Sequence, residues 1–225
     1  MFKSSGDRVL TLPERIVFRL KGMVRSRTLV RVRLDDRGHA ATYLCETPMD
    51  AYRPLSLWIK EAGTMAWLDA EIRPADVFMD IGANIGIYSI AAALRMGEQG
   101  RVYAFEPHKV NALSLLRNIQ ANGLGGRIDV FSCALSDAEG MLDFNYASLS
   151  SASTASQLGH RRVPGTGEEF VPVAAEKVFA ASVDRLIERG SIVAPDLVKI
   201  DVDGNEIAIL RGMHQLLRSA KRPRA

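Results

Sequence analysis

Cysteine is nearly absent from this chain: only Cys45 and Cys133 occur, far apart and without C-x-x-C spacing. That excludes a disulfide framework or a zinc site as the organising feature, and makes a reducing cytoplasm the expected setting. Long apolar runs are missing as well. No segment approaches the ~18–20 uninterrupted apolar residues of a membrane span, so stable membrane insertion is not expected. The start, Met1-Phe-Lys-Ser-Ser-Gly-Asp7, has no apolar stretch behind its early charge, as a secretory signal would need. Aromatics are few, at 7%. The two basic ends therefore lack an interleaved stacking set, and no nucleic-acid partner is expected. Those ends carry +7 over residues 1–34 and +5 over 211–225, against −9 for the stretch between them. Solvated termini around an acidic core are the expectation.

At 225 residues and 47% hydrophobic, the chain can bury the core of one α/β domain plus an N-terminal extension. From Asp76 onward strands and helices alternate: strand 77–81, helix 87–96, strand 101–105, helix 109–122 and strand 127–133. Residues 141–146 read as an antiparallel hairpin arm, 178–189 resume order, and 196–202 form a fourth core strand. A helix follows from near Asn205 through Leu217. Apolar strands alternating with helices call for a Rossmann-like, doubly wound, mostly parallel sheet. Residues 1–66 are less legible. Residues 28–34 alternate apolar and basic as a half-exposed strand, 35–38 turn, and 55–68 have helical spacing. This extension is expected to cap a sheet edge or to shape an acceptor pocket. Residues 148–167 form a long loop, with five serines among the nine residues of 148–156. It reads either as a flexible linker or as a loop near the ligand.

The most informative stretch is Val77-Phe-Met-Asp-Ile-Gly-Ala-Asn-Ile-Gly86. An apolar strand ends in Asp80, and Gly82 and Gly86 bracket Asn84. A glycine turn of this kind lets a ligand approach unshielded backbone N–H groups. Twenty residues after Gly86 a second apolar run ends in Glu106, a carboxylate suited to the paired hydroxyls of a ribose. The dinucleotide fingerprint G-x-G-x-x-G would need glycine at 82, 84 and 87, but Asn84 and Ile87 stand there, which counts against NAD. Phe78-Met-Asp-Ile-Gly-Ala-Asn-Ile-Gly-Ile-Tyr-Ser89, Val102-Tyr-Ala-Phe-Glu-Pro107, Leu116-Arg-Asn-Ile-Gln-Ala-Asn-Gly123, Ala134-Leu-Ser-Asp137 and Val198-Lys-Ile-Asp-Val-Asp-Gly-Asn-Glu206 follow in order. Together, over roughly 67–212, they resemble the FkbM-type family of S-adenosylmethionine-dependent class I methyltransferases. The family usually has Glu where Asp203 stands and Ala where Asn205 stands.

The resemblance implies methyl transfer from S-adenosylmethionine to oxygen, on a sugar, glycan or polyketide-type hydroxyl. It divides the chain into the extension, 1–66, and a cofactor-binding domain, 67–225. It also implies three further strands beside the fourth. Pro223 stands where the fifth should begin, so a sheet lacking its last three strands is expected, with self-association through the open edge. Asp80, Gly82, Asn84 and Gly86 are the candidate loop for the methionine part of the cofactor, and Glu106 is the ribose acceptor. Ala134 and Leu135 are expected beside the adenine. Asp137 is a candidate for its exocyclic amine, and equally for capping the turn to Gly140. Asp201 is the first catalytic candidate and Glu206 the second. Asp203, Asp201 and Glu206 offer oxygen donors for a hard cation, but methyl transfer needs no Lewis acid and no metal is expected. Lys199 is expected to pair with a nearby carboxylate, and His108 to lie on the surface at a helix start. Two other readings stay open: an NAD-dependent oxidoreductase, and a non-catalytic remnant that binds a partner.

Overall fold

A computed structural model describes residues 29–162 and 166–224. The basic arm of residues 1–28 and positions 163–165 of the long loop lie outside the described residues. The chain opens with a hairpin of β1 (Val30–Asp36) and β2 (His39–Cys45). Arg37 and Gly38 join them at φ 51 and 89, the two positive values that a tight hairpin turn requires. Helix α1 (Pro48–Leu55) starts from a capping box in which Thr47 and Asp50 satisfy each other's backbone N–H. Short α2 (Leu57–Lys60) and α3 (Ala62–Glu71) follow. The single helix expected over 55–68 is thus divided, because Ser56 and Glu61 leave helical geometry, with φ/ψ of −93/3 and −115/21.

The central layer is a parallel sheet of β3 (Val77–Ile81), β4 (Arg101–Phe105), β5 (Ile128–Phe131) and β10 (Leu197–Ile200), in the order β10-β3-β4-β5. Helices α4 (Ile87–Arg95) and α5 (Lys109–Ala121) connect the first three strands. Alternate residues feed two cores. Phe78, Val102, Ala104 and Leu197 pack with α3, α4, α5 and the hairpin. Met79, Ile81, Phe105 and Val198 pack with α6 (Val183–Glu188), α7 (Glu206–Gly212) and α8 (His214–Arg218). Each large side chain so buried contributes about 1.5–3 kcal/mol. The sheet is therefore covered on both faces, as its continuous apolar strands demand. The helix expected through Leu217 is interrupted at Met213, whose φ is −123.

A second sheet lies over the C-terminal ends of the parallel strands. Strand β6 (Ala134–Leu135) leaves the line of β5 and pairs in parallel with β9 (Ala174–Ala181). Strand β9 pairs antiparallel with β7 (Gly140–Tyr146), and β7 with β8 (Gln157–Leu158). The strand expected to run to 133 thus ends at Phe131, and the hairpin arm 141–146 finds its main partner in β9. Residues 29–66 share one core with the parallel sheet rather than forming a separate layer. Asn118 on α5 and Asn122, which caps its end, hydrogen-bond the backbone of β2 at Leu44 and Thr42. Arg95 reaches Asp36 and Asp69, both at 2.6 Å, and ties the hairpin to α3 and α4. At the outer edge of β10, Arg224 lies parallel beside Leu197, bonded through Asp196 and Val198.

Candidate functional site

The C-terminal ends of β3, β4 and β10 and the second sheet border a cleft. This is where open parallel sheets bind ligands. Gly82 and Glu106 stand on its wall, from neighbouring strand ends. Gly82 takes φ 77, and a Cβ there would fall 2.1 Å from the carbonyl oxygen of Asp201. Glycine is required because β3 and β10 pass that closely, not because a ligand would meet the added carbon. Asn84 also has positive φ, at 51, and its side-chain oxygen accepts from the N–H of Ile85. Its own N–H donates to Glu106 Oε2 at 2.7 Å, while the His108 N–H donates to Oε1 at 2.8 Å. The Asn84 N–H is thus spent on a side chain, where a dinucleotide site would offer it to a phosphate.

Glu106 is the electrostatic centre of this end. It is 5% exposed. Burial pushes its carboxyl up to about 7, against the two backbone N–H groups and the more distant Lys199, which act to lower it. Two N–H donors leave lone pairs on both oxygens for further donors. His108, expected at the surface, is buried instead. It caps α5: Nδ1 accepts the Asn111 N–H at 3.3 Å, so Nε2 carries the proton and donates to Ser148 O at 2.9 Å. Burial holds its pKa below the usual value, keeping the ring neutral. The rings of Phe144 and Tyr146 meet it edge-on.

Asp80 lies behind the wall and is wholly buried. It accepts from Ser89 Oγ at 2.6 Å and from Lys199 Nζ at 3.0 Å, its direct cross-strand neighbour. Lys199 Nζ is also 3.6 Å from Asp201 Oδ2 and 4.5 Å above the Tyr88 ring. The expected pairing of Lys199 is therefore present, with two carboxylates sharing one ammonium. Asp201 lines the cleft, but its side chain is 71% exposed.

The Ser-rich segment lies over the cleft and contributes Ser153, Thr154, Ser156, Gln157 and Leu158 to its lining. Asn84 and Asn111 both donate to Ser153 O at 3.0 Å. Arg53, on α1, donates to Ala152 O through Nε and Nη2, and Asp203 accepts the Ala155 N–H. Ala152 and Ala155 sit at φ 57 and 65, a left-handed geometry costing alanine on the order of 1 kcal/mol each. The clamps from four surrounding elements offset that strain.

Residues 80–224 match the methyltransferase FkbM domain. The chain belongs to the FkbM methyltransferase family. Among relatives, the hexuronic acid methyltransferase AglP of Haloferax volcanii is 26% identical over 198 residues, covering 88% of this chain and 73% of that protein. The 31-O-demethyl-FK506 methyltransferase FkbM of Streptomyces tacrolimicus is 31% identical over 168 residues, 64% of this chain and 61% of its own length. A solved FkbM methyltransferase from Methylobacillus flagellatus KT is 20% identical with a TM-score of 0.44, covering 76% of this chain and 38% of that one.

Within this FkbM-family domain, Gly82, Asn84, Glu106, Ala134, Leu135 and Asp201 share the cleft. The other expected positions stand off its wall for separate reasons. Asp80 is internal. Gly86, at φ 89, opens α4, and a Cβ there would fall 2.3 Å from Leu115 Cδ1, so its role is packing against α5. Asp137 is exposed on the surface, taking a 3.3 Å bond from Ser136 Oγ. Glu206 opens α7 and turns Oε1 to the Gly204 N–H at 3.4 Å. Among the described residues, no group of three His, Cys, Asp or Glu side chains is placed to hold a metal ion. Nor is any helix long and apolar enough to cross a membrane. Sequence reasoning missed Arg53, Asn111 and Gln157 as lining residues. Only the serine density of 148–156 pointed toward the segment that holds Gln157.

Proposed function

We propose that this FkbM-family chain is an S-adenosylmethionine-dependent O-methyltransferase acting on a sugar, glycan or polyketide-type hydroxyl. One observation carries the reading: Glu106, buried and fixed by N–H groups from the turns after β3 and β4, with acceptor capacity left on both oxygens. Paired vicinal hydroxyls of a ribose are the donors that satisfy it. Asn111 Oδ1 and Gln157 Nε2 are buried in the same wall without hydrogen-bond partners, as a site built for a polar ligand would leave them. The bound cofactor would supply an electrophilic methyl on a sulfonium.

The residues supply position and charge. Gly82 brings the backbones of β3 and β10 together, so that Asp201 lines the same cleft as Glu106. In this reading the Asp201 carboxylate orients the acceptor hydroxyl and takes its proton, with the Lys199 ammonium 3.6 Å from it. The second sheet and the Ser-rich segment exclude water from the nucleoside end. The 31-O-demethyl-FK506 relative's name supports oxygen as the methylated atom, and the hexuronic acid relative's name supports a sugar acid among the acceptors. Cys45 and Cys133 are free thiols, which suits a reducing cytoplasm.

Calorimetry with S-adenosylhomocysteine and NAD tests the cofactor, with tight binding expected for the first alone. Binding of NAD and not of S-adenosylhomocysteine would overturn the reading. Transfer of labelled methyl to uronic acid glycosides or macrolide alcohols then tests the acceptor.

A further inference from the structure

Two cationic side chains, Arg53 and Lys199, line the cleft, and they are committed very differently. Lys199 is held by Asp80 at 3.0 Å and stands 3.6 Å from Asp201. Arg53, half-buried in the last turn of α1, has no ion-pair partner among the described residues. Its Nε and Nη2 donate to Ala152 O at 3.2 and 3.0 Å, which fixes one edge of the guanidinium. The N–H groups of the outer edge, on Nη1 and Nη2, make no bond among the described residues. That edge is the planar fork that matches a carboxylate bidentately. The other charges of the lining point the same way. Asp201 and Asp203 are acidic, and burial keeps His108 neutral, so a ligand's carboxylate is favoured beside Arg53 rather than elsewhere. The clamp also lowers the cost of binding. Ala152 O already holds the guanidinium, and Asn84 and Asn111 hold the next carbonyl, Ser153 O, so little freedom is left to lose when an anion docks.

We propose that Arg53 is the carboxylate anchor of the cleft, gripping an acid group of the ligand end-on through Nη1 and Nη2. This rests on the reading above, whose ligands offer such a group in two places. S-adenosylmethionine carries a carboxylate on its methionine part, and a sugar-acid acceptor carries one of its own. The chemistry at Arg53 is the same for both. The anchor also ties α1 to ligand selection, a role for the N-terminal extension beyond its packing against the sheet.

The test is calorimetry with two pairs of compounds that differ in the acid group alone. One pair is S-adenosylhomocysteine and its decarboxylated analogue. The other is p-nitrophenyl glucuronide and p-nitrophenyl glucoside, titrated with S-adenosylhomocysteine present. In at least one pair the parent chain should favour the acid by roughly 10- to 100-fold, the worth of a hydrogen-bonded charge pair. Preference in the first pair assigns the anchor to the cofactor, and in the second to the acceptor. Arg53→Met should abolish that preference by weakening the acid alone, and Arg53→Lys, which keeps the charge without the fork, should retain part of it. A residue that only clamped Ala152 would behave otherwise: Arg53→Met would then weaken acid and neutral partner alike. That result, or a parent chain that binds S-adenosylhomocysteine with no preference in either pair, overturns the anchor and leaves the cofactor reading standing. A parent chain that does not bind S-adenosylhomocysteine overturns the cofactor reading itself, and this inference with it.

Discussion

The two ends of the cleft are built on different physical terms. At the nucleoside end Glu106 is 5% exposed, and backbone N–H groups from two turns hold both its oxygens. At the β10 end the Asp201 side chain is 71% exposed, and its cationic neighbour, Lys199, stands 3.6 Å away while holding Asp80 at 3.0 Å. The first is preorganised at a cost: burial pushes the acid up to about 7, and the two amides with the more distant Lys199 only partly offset it. The second is left adjustable. On the proposed function, a nucleoside of one fixed shape repays a rigid socket, and an end that takes an alcohol acceptor gains from a carboxylate free to follow it.

The sharpest way to break the comparison is to force the ends apart. Gly82→Val puts a Cβ 2.1 Å from Asp201 O at a residue with φ 77. Neither backbone has room to give, so the contact between β3 and β10 should fail. The expected outcome is loss of S-adenosylhomocysteine binding together with a large drop in melting temperature. A folded variant that binds normally would mean the turns tolerate separation.

Asp201→Asn comes next and acts on one end alone. The substitution keeps shape and removes charge at an exposed side chain, so melting should hardly change. If Asp201 serves as proton acceptor, single-turnover methyl transfer should fall by roughly 10²–10⁴-fold, with S-adenosylhomocysteine affinity kept. A rate within a few-fold of the parent would leave positioning as the only source of catalysis. Glu106→Ala addresses the opposite end. Removing hydrogen bonds to a charged acceptor should weaken S-adenosylhomocysteine binding by about 1.5–3 kcal/mol. Unchanged affinity would move the ribose elsewhere in the cleft.

The same contrast explains what was legible in the sequence. The strands around Asp80, Phe105 and Ile200 are apolar on both faces, so their type and order could be read locally, and Gly82 and Glu106 came with them. The second sheet could not be read that way. Strand β9 is Ala174-Ala-Glu-Lys-Val-Phe-Ala-Ala181, poor in β-formers, and exists because β7 pairs along its whole length. Gln157 and Arg53 reach the cleft only through that tertiary pairing and through α1, so no spacing in the chain announced them. His108 was misjudged for a related reason. A histidine at a helix start is ordinarily wet, but here β7 lays Phe144 and Tyr146 over it. Asp137 and Glu206 show the converse: each sits beside a motif, yet the β6 turn and the start of α7 point them away from the cleft.

The smallest expected effect is the most diagnostic, because it opposes two trends in one residue. The Glu106 carboxyl titrates at about 7 in the folded protein against 4.5 for an ordinary glutamate. A raised acid binds its proton more tightly folded than unfolded. Its contribution to stability is therefore complete below about 4.5 and lost as pH rises through about 7. Ligand binding runs the other way, since accepting from two ribose hydroxyls uses the ionised form. Affinity for S-adenosylhomocysteine should fall below pH 7, by up to tenfold per unit, and level off above it. Between pH 5.5 and 8 the ligand-free protein should lose melting temperature on account of Glu106 while the ligand-induced rise in melting temperature grows. In Glu106→Gln both slopes should flatten together. Melting curves at several pH values, with and without ligand, read both at once. If the slopes persist in that variant, another group is titrating and the cleft's nucleoside end is not governed by Glu106.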